Sequence, residues 1–323
     1  MKKIFLILAA HLLAFLLVPF LCARGWTAPL AQYLPSTAAE DSALPVYIPV
    51  LVDGAVEELP LTQYLCGVVA AEMPASYPEE ALKAQAVAAC SYMVYRSVND
   101  PNAEAHKGAW VCNDPSHCKG YLTPAQMKQN WGEDNYARYY AKIAAAVGAV
   151  AGRIMTYEGE PVNAVFHAIS AGTTEAAADV WGQDVPYLQA VESLVDVNAA
   201  DYQTAVTCSA QELYRLLAIL RPQVEEDLAL GAVDRSDSGG VRKAEIGGCT
   251  FTGAQLRSTL SLRSTNFEIT RDGDTFTFTV RGYGHCVGMS QHGAGQLAQA
   301  GMTYTDILQT YYTGVTVEPY SFS

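Results

Sequence analysis

The sequence predicts an α+β fold in two lobes, preceded by one transmembrane helix. Three observations carry this expectation. Helical and strand periodicities alternate without a repeating βα unit, Asp53-Gly54 and Asp272-Gly273 mark hairpins near opposite ends of the chain, and a charge-free apolar run opens it. With 323 residues, 50% hydrophobic and 16% charged, the chain has material for one large core or two modest ones.

The elements follow in order. Lys2 and Lys3 precede an apolar run from Ile4 to Ala23, long enough at about 1.5 Å per residue to cross about 30 Å of hydrocarbon. Lysines on its N-terminal side favour a cytoplasmic start, so the remainder is expected on the outer face of the cell membrane as a single-pass protein. A cleaved signal peptide is the competing reading, but Leu21-Cys22-Ala23 lacks the small-x-small cleavage pattern. Residues 24–44, rich in Ala, Pro, Ser and Thr, read as a linker, and residues 45–323 as the folded domain.

Val46 to Val56, turned at Asp53-Gly54, predicts a strand pair. Leu61 to Ala71 has apolar residues at helical spacing and is stopped by Pro74. Ser76-Tyr-Pro-Glu79 is a capping box that opens a helix to about Arg96. Further helices are expected over Arg138–Val150, from the Ser209 cap to Leu220, and over Thr303–Tyr312. Strands are expected over Ile154–Tyr157, Val162–His167 and the Phe267–Val280 hairpin.

The formal charge of −13 leaves no diffuse basic face for phosphates, which argues against a nucleic-acid partner. Seven cysteines follow the apolar run, an odd number that cannot all pair within one chain.

Three stretches concentrate chemistry. In Gly67-Val-Val-Ala-Ala-Glu72-Met-Pro, the glutamate ends a helix behind four apolar residues. A carboxyl there loses part of its water, which favours the protonated form that a general acid needs; an exposed helix-terminal glutamate is the plain alternative. Gly282 to Gly293 sets four glycines among His285, Ser290 and Gln291, polar tips suited to sugar hydroxyls on a backbone able to approach a ligand. His106 through Cys118, in an insertion of about residues 104–120, combines imidazoles with thiols and suits Zn²⁺. A Cys112–Cys118 disulfide is the alternative there.

The run from Leu59 to Tyr92 closely resembles the stage II sporulation protein D family. So do Phe166-His167, Ser170-Ala-Gly-Thr173, Asp179-Val-Trp-Gly, Leu260-Ser-Leu-Arg-Ser and Gly282-Tyr-Gly-His-Cys-Val-Gly-Met-Ser-Gln-His-Gly-Ala. The resemblance implies a peptidoglycan lytic transglycosylase with a central glycan-binding cleft. Such an enzyme cleaves the MurNAc–GlcNAc bond of strands stripped of stem peptides and leaves 1,6-anhydro-MurNAc ends, with Glu72 catalytic.

It also implies a place in engulfment during sporulation, beside an amidase and membrane partners. In clostridial-type members a similar segment is associated with zinc beside the catalytic glutamate. On that footing His106, Cys112 and Cys118 are the expected ligands, with His117 as substitute and Glu72 or water completing the shell.

Lys83 and Gln85 are expected to face Glu72 from the neighbouring helix. His167, Ser170 and Thr173 are expected to line the cleft with His285, Ser290 and Gln291. Two positions depart from the family pattern: Cys90 stands where many relatives carry arginine, and His285-Cys286 where they read Gly-His-Gly. A zinc-dependent amidase and a noncatalytic, wall-binding amidase enhancer remain the competing functions.

Overall fold

The chain enters the fold through a hairpin. Tyr47–Val52 pairs antiparallel with Ala55–Pro60 around Asp53 and Gly54, whose φ values of 49° and 86° are those a tight turn demands. The structure, a computed structural model, describes residues 46–99 and 104–322; the apolar run and the linker lie outside the described residues. Among the described residues no helix is long and apolar enough to cross a membrane. Leu61–Glu72 follows the hairpin directly as a helix ending at Glu72. Val111–Cys112 joins the same sheet in parallel beside Val50–Leu51, which ties the cysteine- and histidine-bearing insertion to the first strand.

The 21-residue helix Glu79–Asn99 is the axis of the first core. Its alanines, Leu82, Val87, Met93 and Val94 are buried on every side, as expected of a helix surrounded by other elements. The helices Leu61–Glu72, Glu133–Val150, Gln291–Gln299 and Tyr304–Tyr311 pack on it, as does the strand Arg153–Tyr157. Ser91 joins helix to strand: its hydroxyl donates to the Val87 carbonyl (2.7 Å) and accepts the Met155 N–H (2.8 Å). Ser91→Ala leaves that buried N–H unpaired and is expected to cost about 1–3 kcal/mol in denaturant unfolding, with no change in product chemistry.

A second core forms the other lobe. Gln203–Ser209 pairs with the hairpin Phe267–Asp272/Thr275–Arg281, and Leu230–Arg235, Val241–Ile246 and Cys249–Thr252 make a separate sheet. Phe251, Phe267, Phe276 and Phe278 meet Leu213 and Leu217 of the helix Ala210–Leu220 between them. The mixed α+β character and the two cores agree with the sequence expectation.

One expected strand is shortened. Of Val162–His167 only Phe166–His167 is a strand, parallel to Met289–Ser290. Side chains take over part of the ladder: the Asn163 N–H donates to the Tyr187 hydroxyl, and the Tyr312 hydroxyl donates to the Val165 carbonyl. The helix Pro124–Trp131, capped by Thr123, and the helix Gln291–Gln299, capped by Ser290, are additions to the expected elements.

Candidate active site

Glu72 is half-buried at the end of its helix, and its Oε1 accepts the Gly120 N–H at 2.8 Å. The segment carrying Gly120 is brought there by close packing. Leu122 N–H donates to the Gly67 carbonyl, and the Tyr121 ring lies so near Gly67 that an added Cβ would meet it at 2.2 Å. Glycine at position 67 is what admits this segment, and the Tyr121 ring stacks on Tyr64 (centroids 5.9 Å). Glu72 opens onto a cavity of about 310 Å³ lined also by Pro74, Tyr77, Ala168, Asp201, Gln291 and His292.

Two residues before Gly120 the insertion closes a donor cluster. His106, Cys112, His117 and Cys118 place one ligand atom each within 4.8 Å of one another. His106 Nε2 lies 2.9 Å from His117 Nδ1, Cys118 Sγ 3.5 Å from His106 Nε2, and Cys112 Sγ 3.5 Å from His117 Nδ1. A zinc tetrahedron with nitrogen and sulfur ligands has edges of roughly 3.3–3.8 Å, and the separations in this two-histidine, two-thiolate set, from 2.9 Å up to at most 4.8 Å, bracket that range, so small side-chain shifts would bring the four donors onto one ion. His117, expected only as a substitute, is the fourth member of the cluster, and Glu72 is outside it. Cys112 and Cys118 are free thiols, as are the other five cysteines among the described residues, all of them buried.

The remaining expected site residues divide. Gln291 lines the Glu72 cavity and its amide donates to Gln85 Oε1 (3.3 Å), so Gln85 acts from behind it. Lys83 pairs with Glu79 (2.8 Å) and Glu80 (2.9 Å) on its own helix and is not among the residues lining the cavity. The Ser170 hydroxyl accepts the Gly172 N–H and the Ser290 hydroxyl donates to Asp196; both are fully buried and turned into the protein. Thr173 is half-buried and bridges to Glu192.

His167 and His285 lie further along the same region. His167 Nδ1 donates to the Val287 carbonyl (3.1 Å), leaving Nε2 as a buried acceptor without a hydrogen bond among the described residues. Burial pulls its pKa down to about 4, against smaller opposing pulls from the Val287 carbonyl and Asp196. His285 is held well below the ordinary range, first by burial and then by neighbouring His167, Lys119 and Arg257. It lines a wider groove of about 800 Å³ with Ser116, Trp181 and Arg257, and its ring lies 5.3 Å from that of Trp181, which is 46% exposed.

The two departures from the family pattern are both buried thiols with pKa raised to about 12 by burial. Cys286 stands at φ +62°, a left-handed conformation that glycine adopts more readily than cysteine.

Three residues were missed from sequence. Lys119 places its ammonium 4.0 Å from the Phe166 ring centroid and 4.5 Å from that of Tyr92, near enough to Glu72 to feel its charge. Fully buried Asp196 and half-buried His292 form a pair, with His292 Nδ1 3.0 Å from Asp196 Oδ1. His292 was readable as part of the glycine-rich stretch; Asp196 lies in an ordinary 3₁₀ turn, Leu194–Asn198, with no local signal.

These features define a mixed α+β protein with a carboxylate cavity and a separate, larger groove. Residues 53–157 match the model of the family described as Stage II sporulation protein. Stage II sporulation protein D of Bacillus subtilis is 40% identical over 292 residues, spanning 90% of this chain and 83% of that protein. Its counterpart in Bacillus amyloliquefaciens is 39% identical over 276 residues, 84% of this chain and 79% of the relative. A protein named amidase enhancer, from Bacillus subtilis, is 26% identical over 314 residues, covering 79% of this chain and 40% of that protein. The chain belongs to the stage II sporulation protein D family, which ties it to sporulation and the cell wall.

Proposed function

We propose that the protein is a lytic transglycosylase acting on peptidoglycan strands already stripped of stem peptides. The observation that carries the reading is Glu72: a half-buried carboxyl, hydrogen-bonded by a loop N–H and opening onto a defined cavity. Its task is to protonate the departing glycosidic oxygen while the muramic C6 hydroxyl closes on its own anomeric carbon, a route that needs one carboxyl where ordinary glycoside hydrolysis needs two. The groove beside His285, with the exposed face of Trp181, gives the strand a surface beyond the cleaved bond.

Zn²⁺ in the His106, Cys112, His117 and Cys118 set would hold the insertion in place and so position Gly120 against Glu72. Four protein donors make a closed site of the structural kind, whereas a zinc amidase keeps one position for water, and this favours the transglycosylase over that alternative. The same reading places the domain outside the cell, anchored through residues 1–23, and working with an amidase and membrane partners in engulfment.

The test is product analysis. Purified protein incubated with peptide-free glycan should release fragments bearing 1,6-anhydro-muramic ends by mass spectrometry. Reducing ends, released stem peptides from intact wall, or no new ends would each reject the assignment.

A second carboxylate does line the cavity, which makes a further check possible. Asp201 is 74% exposed at its side chain and faces Arg263 at 3.9 Å. Asp201→Asn is expected to keep kcat within about threefold, because a solvated carboxylate is a weak candidate for proton transfer. A loss of two orders of magnitude would instead mark a two-carboxylate hydrolase.

A further inference from the structure

We infer that His292, fixed by the buried carboxylate of Asp196, is the base that takes the proton of the attacking sugar hydroxyl in the Glu72 cavity; this rests on the transglycosylase reading. Asp196 is fully buried and has four donors around it. Oδ2 accepts the Ser170 N–H (3.0 Å) and the Ser193 hydroxyl (2.9 Å), and Oδ1 accepts the Ser290 hydroxyl (2.9 Å) and His292 Nδ1 (3.0 Å). An ionised carboxylate only accepts, at about four lone-pair sites, so this one is filled.

The consequence for His292 is a fixed tautomer. Nδ1 must carry the hydrogen, which leaves Nε2 as the acceptor of the neutral ring. The ring is also fixed in place, since the His292 backbone N–H donates to the Ala168 carbonyl (3.0 Å) and Ser290 caps the same helix. His292 lines the cavity that Glu72 lines. A buried carboxylate behind an imidazole both orients it and stabilises the imidazolium it becomes.

That arrangement solves a proton problem. Glu72 must enter the reaction protonated to serve the leaving oxygen, so by itself it could take the C6 hydroxyl proton only in a second step, after becoming a carboxylate. With His292 present both transfers fit one step. The C6 O–H bond breaks and its proton passes to Nε2, the C6 oxygen bonds to C1, the bond from C1 to the leaving oxygen breaks with its electron pair going to that oxygen, and the oxygen takes the Glu72 proton. The enzyme is left with a Glu72 carboxylate and a His292 imidazolium; return of that proton to Glu72 across the cavity restores the starting state.

The test uses the full chain and peptide-free glycan, comparing His292→Ala, His292→Gln and Glu72→Gln. His292→Gln, whose amide can still donate to Asp196, should melt close to the wild type, and His292→Ala, which leaves one acceptor of that buried carboxylate unfilled, should melt lower. Both should keep KM within about threefold and lose about 10²- to 10⁴-fold in kcat. Added imidazole should restore His292→Ala at least tenfold and leave Glu72→Gln unchanged. A fully active His292→Gln beside an inactive Glu72→Gln overturns the role of His292 alone, as does a loss in His292→Ala that imidazole does not rescue. Should His292→Ala fail to fold, His292→Gln decides: loss confined to kcat supports the base, and retained kcat removes it. Reducing ends from the wild type, or an active Glu72→Gln, would overturn the underlying reading first.

Discussion

Glu72→Gln should lose about 10²- to 10⁴-fold in the rate of anhydro-end formation, the range a positioned proton donor contributes. The substitution is close to isosteric and its effect should be confined to chemistry. The glutamine amide oxygen still accepts the Gly120 N–H that now meets Oε1 at 2.8 Å, so the insertion keeps its contact with the helix end. Thermal melting should therefore stay near the wild-type value, and pull-down on peptide-free glycan should be unaffected. Normal turnover in a correctly folded variant would remove Glu72 from the reaction; failure to bind glycan would mean that the carboxylate holds substrate instead.

The parts of this site that were legible in the sequence are those set by local rules. The hairpin at Asp53-Gly54, the helix ending at Glu72 and the long helix behind it follow from turn residues, apolar spacing and a proline stop, all within a few residues of one another. The partners of Glu72 and His292 are set by tertiary packing. Gly120 reaches Glu72 across 48 positions, and Asp196 meets Ser290 and His292 across 94 and 96.

Polar residues in a glycine-rich stretch look equivalent on paper, and only the fold separates Ser290, turned inward as a cap, from Gln291 and His292, which line the cavity. The same applies to Cys118 and His117: adjacent residues usually diverge, and it is the turn from Asp114, whose carbonyl accepts both the His117 and Cys118 N–H, that brings both donors to one point.

The insertion yields the second large expected effect. Cys118→Ser, or treatment with a strong chelator, should release about one equivalent of zinc by elemental analysis and lower the melting temperature by about 7 °C. That shift corresponds to about 4 kcal/mol of linkage, the value for a ligand at a thousandfold its dissociation constant, spread over a domain of this size. Catalysis should fall as well, for a positional reason. Gly120 lies two residues beyond Cys118, and an unclipped loop withdraws the hydrogen bond that orients the protonated acid, worth about 0.5–1.5 kcal/mol, or about 2- to 13-fold in rate.

The residual activity is the informative part. A zinc hydrolase stripped of metal has lost its nucleophile and stops, whereas an enzyme whose acid is Glu72 continues slowly, still making anhydro ends, and recovers when zinc is returned. Wild-type protein free of metal with a mapped Cys112–Cys118 bond would reject the zinc clip, and complete arrest reversed only by metal would move the chemistry from Glu72 to the ion.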